Sequence, residues 1–144
     1  MKLKTLAVAV AFIWCGMLLG ISFLEAPLKF QAPNVTLGLG LGIGRLVFFA
    51  LNKFELLFAL ILLVVFIAKK DTGKFAAVSF AVVVGLLLLQ TFWLLPLLDA
   101  RAELVISGAA APFSMTHYYY IAAEVIKIIL VFCIGWGLTR RLAQ

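Results

Sequence analysis

Charged residues are scarce in this chain of 144 residues: only 12% are Asp, Glu, Lys or Arg, whereas 66% are hydrophobic. Soluble domains carry about 25% charged residues, so the composition excludes a soluble enzyme with an ordinary polar surface and a disordered chain. The net charge is +6, but the basic residues gather at predicted helix ends and not along one face. The sequence therefore predicts a membrane protein surrounded by the lipid bilayer, and it excludes a nucleic-acid partner.

Cysteines and catalytic motifs are nearly absent as well. Cys15 and Cys133 both lie in apolar runs and indicate no disulfide. The sequence has no G-x-S-x-G, no H-E-x-x-H and no C-x-x-C, so no motif indicates an enzyme. The glycine-rich stretch 38–44 is not followed by Gly-Lys-Ser/Thr and no strand precedes it, which favours flexible backbone at the membrane edge over a phosphate loop.

Long apolar runs occupy most of the chain, at 6–24, 56–68, 75–95 and 118–138. About 20 apolar residues cross a bilayer as a helix, and lipid offers no partner for an open strand edge. We therefore expect an all-α bundle, one transmembrane domain over 1–144, with four spans at about 5–25, 44–68, 75–96 and 114–138. The second span is long enough only if it begins near Gly44, which places Arg45, Asn52, Lys53 and Glu55 inside it.

The amino terminus begins with basic residues ahead of an apolar stretch, as a secretory signal does. The apolar run 6–24 is longer than a signal requires and no A-x-A-like site follows it, so we expect a retained first span. The basic residues that flank alternate helix ends are Lys2, Lys4, Lys69, Lys70, Lys74, Arg140 and Arg141. By the positive-inside rule both termini lie in the cytoplasm, which predicts a multi-pass protein of the bacterial inner membrane.

Two prolines stand at equivalent places in the two halves of the chain. Pro27 and Pro96 each begin a predicted outer connection, with room for a short interfacial helix. An offset of 69 residues superposes Pro27 on Pro96 and Glu55 on Glu124. A parallel duplication of two-helix units would place both glutamates at similar depth. Chance explains these few identities as well as descent does, so the repeat is only a supporting observation.

Ionisable residues inside the apolar spans carry the strongest functional signal, because each costs about 2.5 to 3.5 kcal/mol at a helix centre. A spacing of seven and then three residues places side chains on one face of a helix. The fourth span has this pattern in His117, Glu124 and Lys127. The second span has it in Arg45, Asn52 and Glu55. Since both spans run in the same direction, we expect a polar seam between them, with Glu55 near Lys127 and Asn52 near Glu124.

The expected pair of Glu55 and Lys127 leaves Glu124 to be met by His117, Asn52, Arg45 or a proton. Such a carboxyl group is suited to exchanging a proton. We therefore favour translocation of a small solute or ion with proton coupling, in which Glu124 is the exchangeable proton site. Lys127 and Glu55 form its coupled charge pair, and the route is lined by Asn52, Arg45 and His117. A static network that fixes helix register is the structural alternative.

Two acidic residues, Glu25 and Asp99, lie at the predicted outer surface, where they either line an entrance to the seam or are solvated charges. His117 is the only histidine, so haem or two-imidazole metal ligation needs a dimer. With Glu55 and Glu124 it would supply a His and two carboxylates to a transition metal. A second hypothesis is therefore that the chain is a membrane redox or cofactor-binding protein. A third hypothesis is that it is an accessory subunit of a larger complex.

Four helices enclose little volume, so a carrier of this size is expected to form a homodimer. Gly16 and Gly20 form a G-x-x-x-G pair that allows close helix approach, either between copies or inside the chain. The sequence does not identify the substrate, the coupling ion or a cofactor.

GISFLEAPLKF at the end of the first span, with GRLVFFALNKFELLFAL leading into the second, resembles an uncharacterised family of small bacterial and eukaryotic four-helix membrane proteins. The resemblance is carried by Phe23, Ala26 and Pro27 and by the stretch 44–55. The layout of that family is similar to that of copper-resistance D-type proteins, which implies transport or metal handling. The chain lacks the additional histidines and methionines expected for copper, and no functional residue is carried over from the family.

Overall fold

The computed structural model describes residues 2–69 and 72–142, and within them the chain is a bundle of four long helices. They are α1 (Lys2–Gln31), α2 (Leu37–Ala68), α3 (Lys74–Ile106) and α4 (Thr116–Arg140). Each helix is long and apolar enough to cross a membrane, so the all-α, multi-pass architecture expected from the sequence is confirmed. Lys70, used above to predict orientation, lies outside the described residues, as do the extreme ends of the predicted 1–144 domain.

The bundle has two ends, which we call the terminal end and the loop end. The terminal end carries the start of α1, the end of α2, the start of α3 and the end of α4. The loop end carries the connections 32–36 and 107–115.

Around the bundle the neighbours are α1, α4, α3 and α2, in that order, so α2 and α4 stand at opposite corners. The predicted seam between α2 and α4 therefore has to be bridged by long side chains across the bundle centre.

The second helix begins earlier than the sequence predicts, at Leu37 and not near Gly44. Thr36 caps it, because its hydroxyl accepts a backbone N–H of the first turn at 3.2 Å. The glycine-rich stretch is thus helical, which corrects its interpretation as flexible backbone. Close approach explains one glycine: a Cβ at Gly44 would lie 2.9 Å from Nζ of Lys29, so a side chain there would displace the lysine.

Both prolines lie inside helices, whereas the sequence suggested that a connection begins at each. The backbone widens into a π-helical segment just before each proline, and we call Leu19–Glu25 and Gln90–Leu94 the wide turns. The residue before each proline donates its N–H five residues back, to Ile21 in α1 and to Gln90 in α3. A proline ring clashes with the carbonyl four residues back in an ordinary α-helix. We attribute the continuation of α1 and α3 past their prolines to this wider hydrogen-bonding pattern.

The wide turns occupy equivalent places in the two halves. Each ends two residues before its proline, and the offset of 69 residues relates their last residues, Glu25 and Leu94. This match of backbone geometry accompanies the match of Pro27 with Pro96, and it agrees with a tandem arrangement of two-helix units.

An apolar core fills the bundle toward the terminal end. Its most deeply buried side chains come from all four helices and include Trp14, Leu18, Leu62, Val83 and Ile134. Large apolar side chains on the outward faces remain exposed, among them Ile67, Phe92 and Trp93. Such a surface suits a chain whose solvent is lipid.

Candidate functional site

Three ionisable side chains are buried together at the bundle centre. Nζ of Lys127 on α4 lies 2.5 Å from Oε1 of Glu55 on α2 and 2.7 Å from Oε1 of Glu124. The exposed fraction of each of these side chains is 1% or less. We call Glu55, Glu124 and Lys127 the ion cluster. The helical spacing correctly predicts the contact between Glu55 and Lys127.

The ion cluster contains two carboxyl groups and one ammonium group. With all three groups ionised its net charge would be −1, and burying an uncompensated charge costs several kcal/mol. The cluster is neutral when one carboxyl group binds a proton or when a further cation approaches. Oε2 of Glu55 is also buried without a hydrogen-bond partner among the described residues, which leaves this carboxyl group incompletely satisfied.

Neutral side chains from α1 and α3 donate further hydrogen bonds to the two carboxyl groups. The indole N–H of Trp14 donates to Oε1 of Glu55 at 3.1 Å. The amide of Gln90 donates to Oε1 of Glu124 at 2.9 Å, and the hydroxyl of Ser22 donates to Oε2 at 2.9 Å. Ser22 and Gln90 belong to the two wide turns. The altered backbone therefore presents a hydrogen-bond donor to Glu124 from each half of the chain.

These three donors are not among the site residues predicted from the sequence. Gln90 had a detectable signal, because it is a polar amide in the otherwise apolar run 75–95. Ser22 interrupts the apolar run 6–24 in a similar way. For Trp14 no such signal exists, since a tryptophan in a membrane span is compatible with a purely apolar environment.

Asn52 is buried but does not pair with Glu124 as predicted. Its amide donates to the hydroxyl of Thr91 at 2.9 Å. The reason is the order of helices: α3 is the neighbour of α2, whereas α4 stands at the opposite corner. Asn52 thus links α2 to α3 beside the ion cluster.

The other predicted charged residues form ion pairs at the loop end. Nε of Arg45 lies 2.5 Å from Oδ1 of Asp99, and a second guanidinium nitrogen contacts Glu103. This pairing fastens the first turns of α2 to the last turns of α3. The other predicted entrance residue, Glu25, lies 3.4 Å from Nζ of Lys29.

No metal site forms from these residues within one chain. In the part that the structure describes, 2–69 and 72–142, no group of three or more His, Cys, Asp or Glu is placed to hold a metal ion. The combination of His117 with Glu55 and Glu124 is therefore not assembled. His117 instead lies beside the ring of Tyr118, with 6.4 Å between the ring centroids.

A cavity of about 430 Å³ occupies the loop-end half of the bundle, and all four helices contribute to its wall. Much of the wall is apolar, with several phenylalanine rings. Its polar residues are Ser22, Lys29, Arg45, Asp99, Tyr120, His117 and Glu124. Four of the residues predicted from the sequence thus meet at one cavity, namely Arg45, Asp99, His117 and Glu124. We call it the loop-end cavity.

Glu124 connects the loop-end cavity with the ion cluster. It lies on the cavity wall, contacts Lys127, and accepts a hydrogen bond from Ser22, which is also on the wall. Toward the terminal end the packing is apolar, through side chains such as Leu18 and Leu62. The geometry allows a proton or a small molecule to approach Glu124 from the loop end.

The ion cluster and the loop-end cavity are the features on which a functional assignment rests. No protein-family model matches the chain, and it has no significant match to a curated protein or to a solved structure.

Proposed function

We propose that the protein is a small membrane carrier that moves a small solute or ion with proton coupling, and that Glu124 is its exchangeable proton site. One observation carries this proposal. Glu124 is at the same time part of the cavity wall and a member of a buried cluster in which two carboxyl groups share one ammonium group. Intramembrane ionisable residues of this kind commonly mark substrate and proton routes.

The hydrogen bonds of Glu124 support a coupling between its proton and its surroundings. As a carboxylate it accepts from Ser22, Gln90 and Lys127. A protonated carboxyl group donates one hydrogen bond itself, so at least one of these donors has to change. The hydroxyl of Ser22 can turn from donor to acceptor, whereas the ammonium of Lys127 can only donate. A proton on Oε2 can therefore be accommodated by Ser22, while Lys127 remains beside Oε1. Because protonation removes the negative charge of Glu124, it would weaken the attraction to Lys127 and favour the contact of the ammonium with Glu55.

A complete transport cycle also requires access from the terminal end. The apolar packing there closes that path, so the described arrangement corresponds to a state that is accessible from the loop end. Two-helix units related by an axis along the membrane normal can rock against each other, and the matched wide turns support such a division of the chain. We also propose a homodimer, as the sequence predicts, although the cavity of about 430 Å³ within one bundle does not itself require a second copy.

The proposed location is the bacterial inner membrane, with both termini in the cytoplasm. Basic residues at the terminal end, among them Lys2, Lys4, Lys69 and Arg140, support this orientation. The loop-end cavity would then face the outside of the cell. The resemblance of the first half to the small four-helix family is compatible with this role and belongs to the proposal.

Proton movement through reconstituted protein tests the proposal. Vesicles with trapped pyranine receive an inside-negative potential from a potassium gradient and valinomycin, and the dye reports proton uptake. We expect uptake above that of protein-free vesicles, and its loss in Glu124→Gln. Lys53→Met is the control, because this exposed side chain on α2 lies outside the ion cluster and the cavity wall and should leave uptake unchanged.

A second measurement follows the proton itself. Infrared difference spectra of the reconstituted protein between high and low pH should contain a carboxylic acid band that disappears in Glu124→Gln and persists in Lys53→Met. If both the band and the proton uptake are unaffected in Glu124→Gln, the ion cluster is a static network that fixes helix register, and the carrier proposal is wrong.

A further inference from the structure

One cation already lies against the aromatic wall of the loop-end cavity. Lys29 comes from the last turn of α1, and its side chain is only 10% exposed. Its Nζ lies 5.6 Å from the ring centroid of Phe30 and 5.6 Å from that of Phe48. An ammonium within about 6 Å of a ring centroid is attracted by the negative face of the ring. Two rings on one ammonium show that this wall accepts a positive charge.

The aromatic wall continues to the ion cluster. The ring of Phe48 packs edge-on against Tyr120, with centroids 5.7 Å apart and an interplanar angle of 83°. Tyr120 stands one helical turn before Glu124 on α4, and both line the cavity. A molecule in the cavity would therefore contact aromatic rings and approach the carboxyl group that belongs to the ion cluster.

The charges around the cavity favour a cation over an anion. The guanidinium of Arg45 is paired with Asp99 and Glu103, and the ammonium of Lys29 lies 3.4 Å from Glu25. Lys127 is shared between two carboxylates. An anion would have to break one of these pairs, whereas a cation would neutralise the excess carboxylate of the ion cluster.

We propose that the loop-end cavity binds a small organic monocation, an amine or quaternary ammonium that carries an apolar or aromatic group. Its charge would lie between Phe48 and Glu124, and its apolar part against the remaining wall. The cavity volume of about 430 Å³ falls in the range of about 300 to 1,000 Å³ that is usual for ligand sites. The idea that this cation is also the transported solute rests on the proposed function. Binding of the cation does not depend on it.

The position of Lys29 has a consequence for affinity. Its tethered ammonium occupies the rings that the ligand would use, and it repels a second positive charge. Replacing Lys29 by Met keeps a long apolar side chain and removes the charge, so a cationic ligand should bind more tightly to this variant than to the wild type.

Equilibrium dialysis tests the inference with the full chain in lipid nanodiscs, and empty nanodiscs give the baseline. The probe is benzyltrimethylammonium. Neopentylbenzene is its uncharged carbon analogue of nearly the same shape, and benzenesulfonate is an aromatic anion. We expect saturable binding of the cation, and no binding above the baseline for the other two. Glu124→Gln should weaken cation binding by about tenfold or more, and Lys29→Met should strengthen it.

Further variants separate binding from folding. Phe48→Leu keeps every charge and should weaken binding of the cation severalfold, since it removes one ring face. Lys53→Met, at an exposed position on α2, should bind as the wild type does. Equal binding of the cation and its uncharged analogue, or cation binding that is the same in Glu124→Gln and Phe48→Leu as in the wild type, would overturn the inference.

The two proposals fail in different ways. Saturable cation binding that depends on Glu124, without proton uptake in vesicles, supports the binding site and contradicts the carrier role. Proton uptake that depends on Glu124, without binding of benzyltrimethylammonium, supports the carrier role and contradicts the inference about the ligand.

Discussion

Replacing Lys127 by Met tests the ion cluster most directly. The methionine keeps most of the apolar side-chain volume but removes the ammonium that lies 2.5 Å from Glu55 and 2.7 Å from Glu124. Both carboxyl groups then remain buried in a site with no ammonium. A buried ion pair that loses one partner typically costs about 3 to 5 kcal/mol, because the remaining charge is uncompensated.

The magnitude follows from counting protons. Holding a glutamate side chain neutral at pH 7 costs about 3.7 kcal/mol, because in water it is ionised at this pH. The wild-type ion cluster needs one proton to be neutral, and the variant needs two. The variant should therefore lose about 3 to 5 kcal/mol of unfolding free energy at pH 7. On folding, the variant takes up two protons and the wild type takes up one, so lowering the pH stabilises the variant more, and the loss shrinks by about 1.4 kcal/mol for each pH unit downward.

Trp14 provides the signal for this experiment, because it is fully buried and donates to Glu55. In a background in which the exposed Trp93 and Trp136 are replaced by Phe, its fluorescence follows unfolding by dodecyl sulfate in mixed micelles. Adding Glu55→Gln to the Lys127 variant removes one of the two required protons and should recover about 3 kcal/mol.

The control is Lys53→Met, which removes an exposed ammonium from α2 and should change the unfolding free energy by less than about 0.5 kcal/mol. If the Lys127→Met variant unfolds at the same dodecyl sulfate concentration as the wild type at pH 7 and pH 8, its carboxyl groups do not depend on the ammonium. The account of the ion cluster given above would then be refuted.

The same titration checks four further substitutions. Gly135→Ala should destabilise the bundle by about 1 to 3 kcal/mol, because the added Cβ would lie 3.2 Å from a neighbouring ring. Gly137→Ala has nothing within 4 Å of its Cβ and should stabilise the bundle by up to about 1 kcal/mol. Equal effects of the two substitutions on the unfolding free energy would contradict the packing. Thr91→Val removes the acceptor of the Asn52 amide and should cost about 0.6 kcal/mol; an unchanged midpoint would show that this bond contributes nothing. Arg45→Gln should cost about 1 kcal/mol at low salt and less at high salt, whereas a salt-independent loss would exclude an electrostatic cause.

The spans and one ion pair could be predicted from the sequence, because both depend on local regularities. A run of about 20 apolar residues identifies a span whatever surrounds it. The spacing of Glu124 and Lys127 fixes their common face, and the parallel direction of α2 and α4 brings Glu55 to the same depth. The predicted seam assumes that α2 and α4 are adjacent, which they are not. Glu55 and Lys127 meet nevertheless, because their side chains are long enough to reach across the bundle centre.

The partners of Asn52 and Glu124 could not be predicted, because they depend on the order of helices around the bundle. Periodicity gives a face for each helix but does not determine which helix it meets. Asn52 therefore bonds to Thr91 on α3, and Glu124 accepts from Ser22 on α1 and Gln90 on α3. The continuation of α1 and α3 past their prolines also escaped prediction, because proline is normally read as the end of a helix.

The wide turns shift the rotational phase of α1 and α3. An α-helix advances by about 100° per residue, and a π-helical turn accommodates roughly one residue more than an α-helical turn does. The side chains that follow Glu25 and Leu94 are therefore rotated about the helix axis by roughly 100° relative to their positions on the helical wheel of a regular α-helix. Deleting one residue within Leu19–Glu25 would remove the additional residue that the wide turn accommodates, and it would rotate one segment of the cavity wall against the other. A change of one residue in length would thus alter which side chains face Glu124.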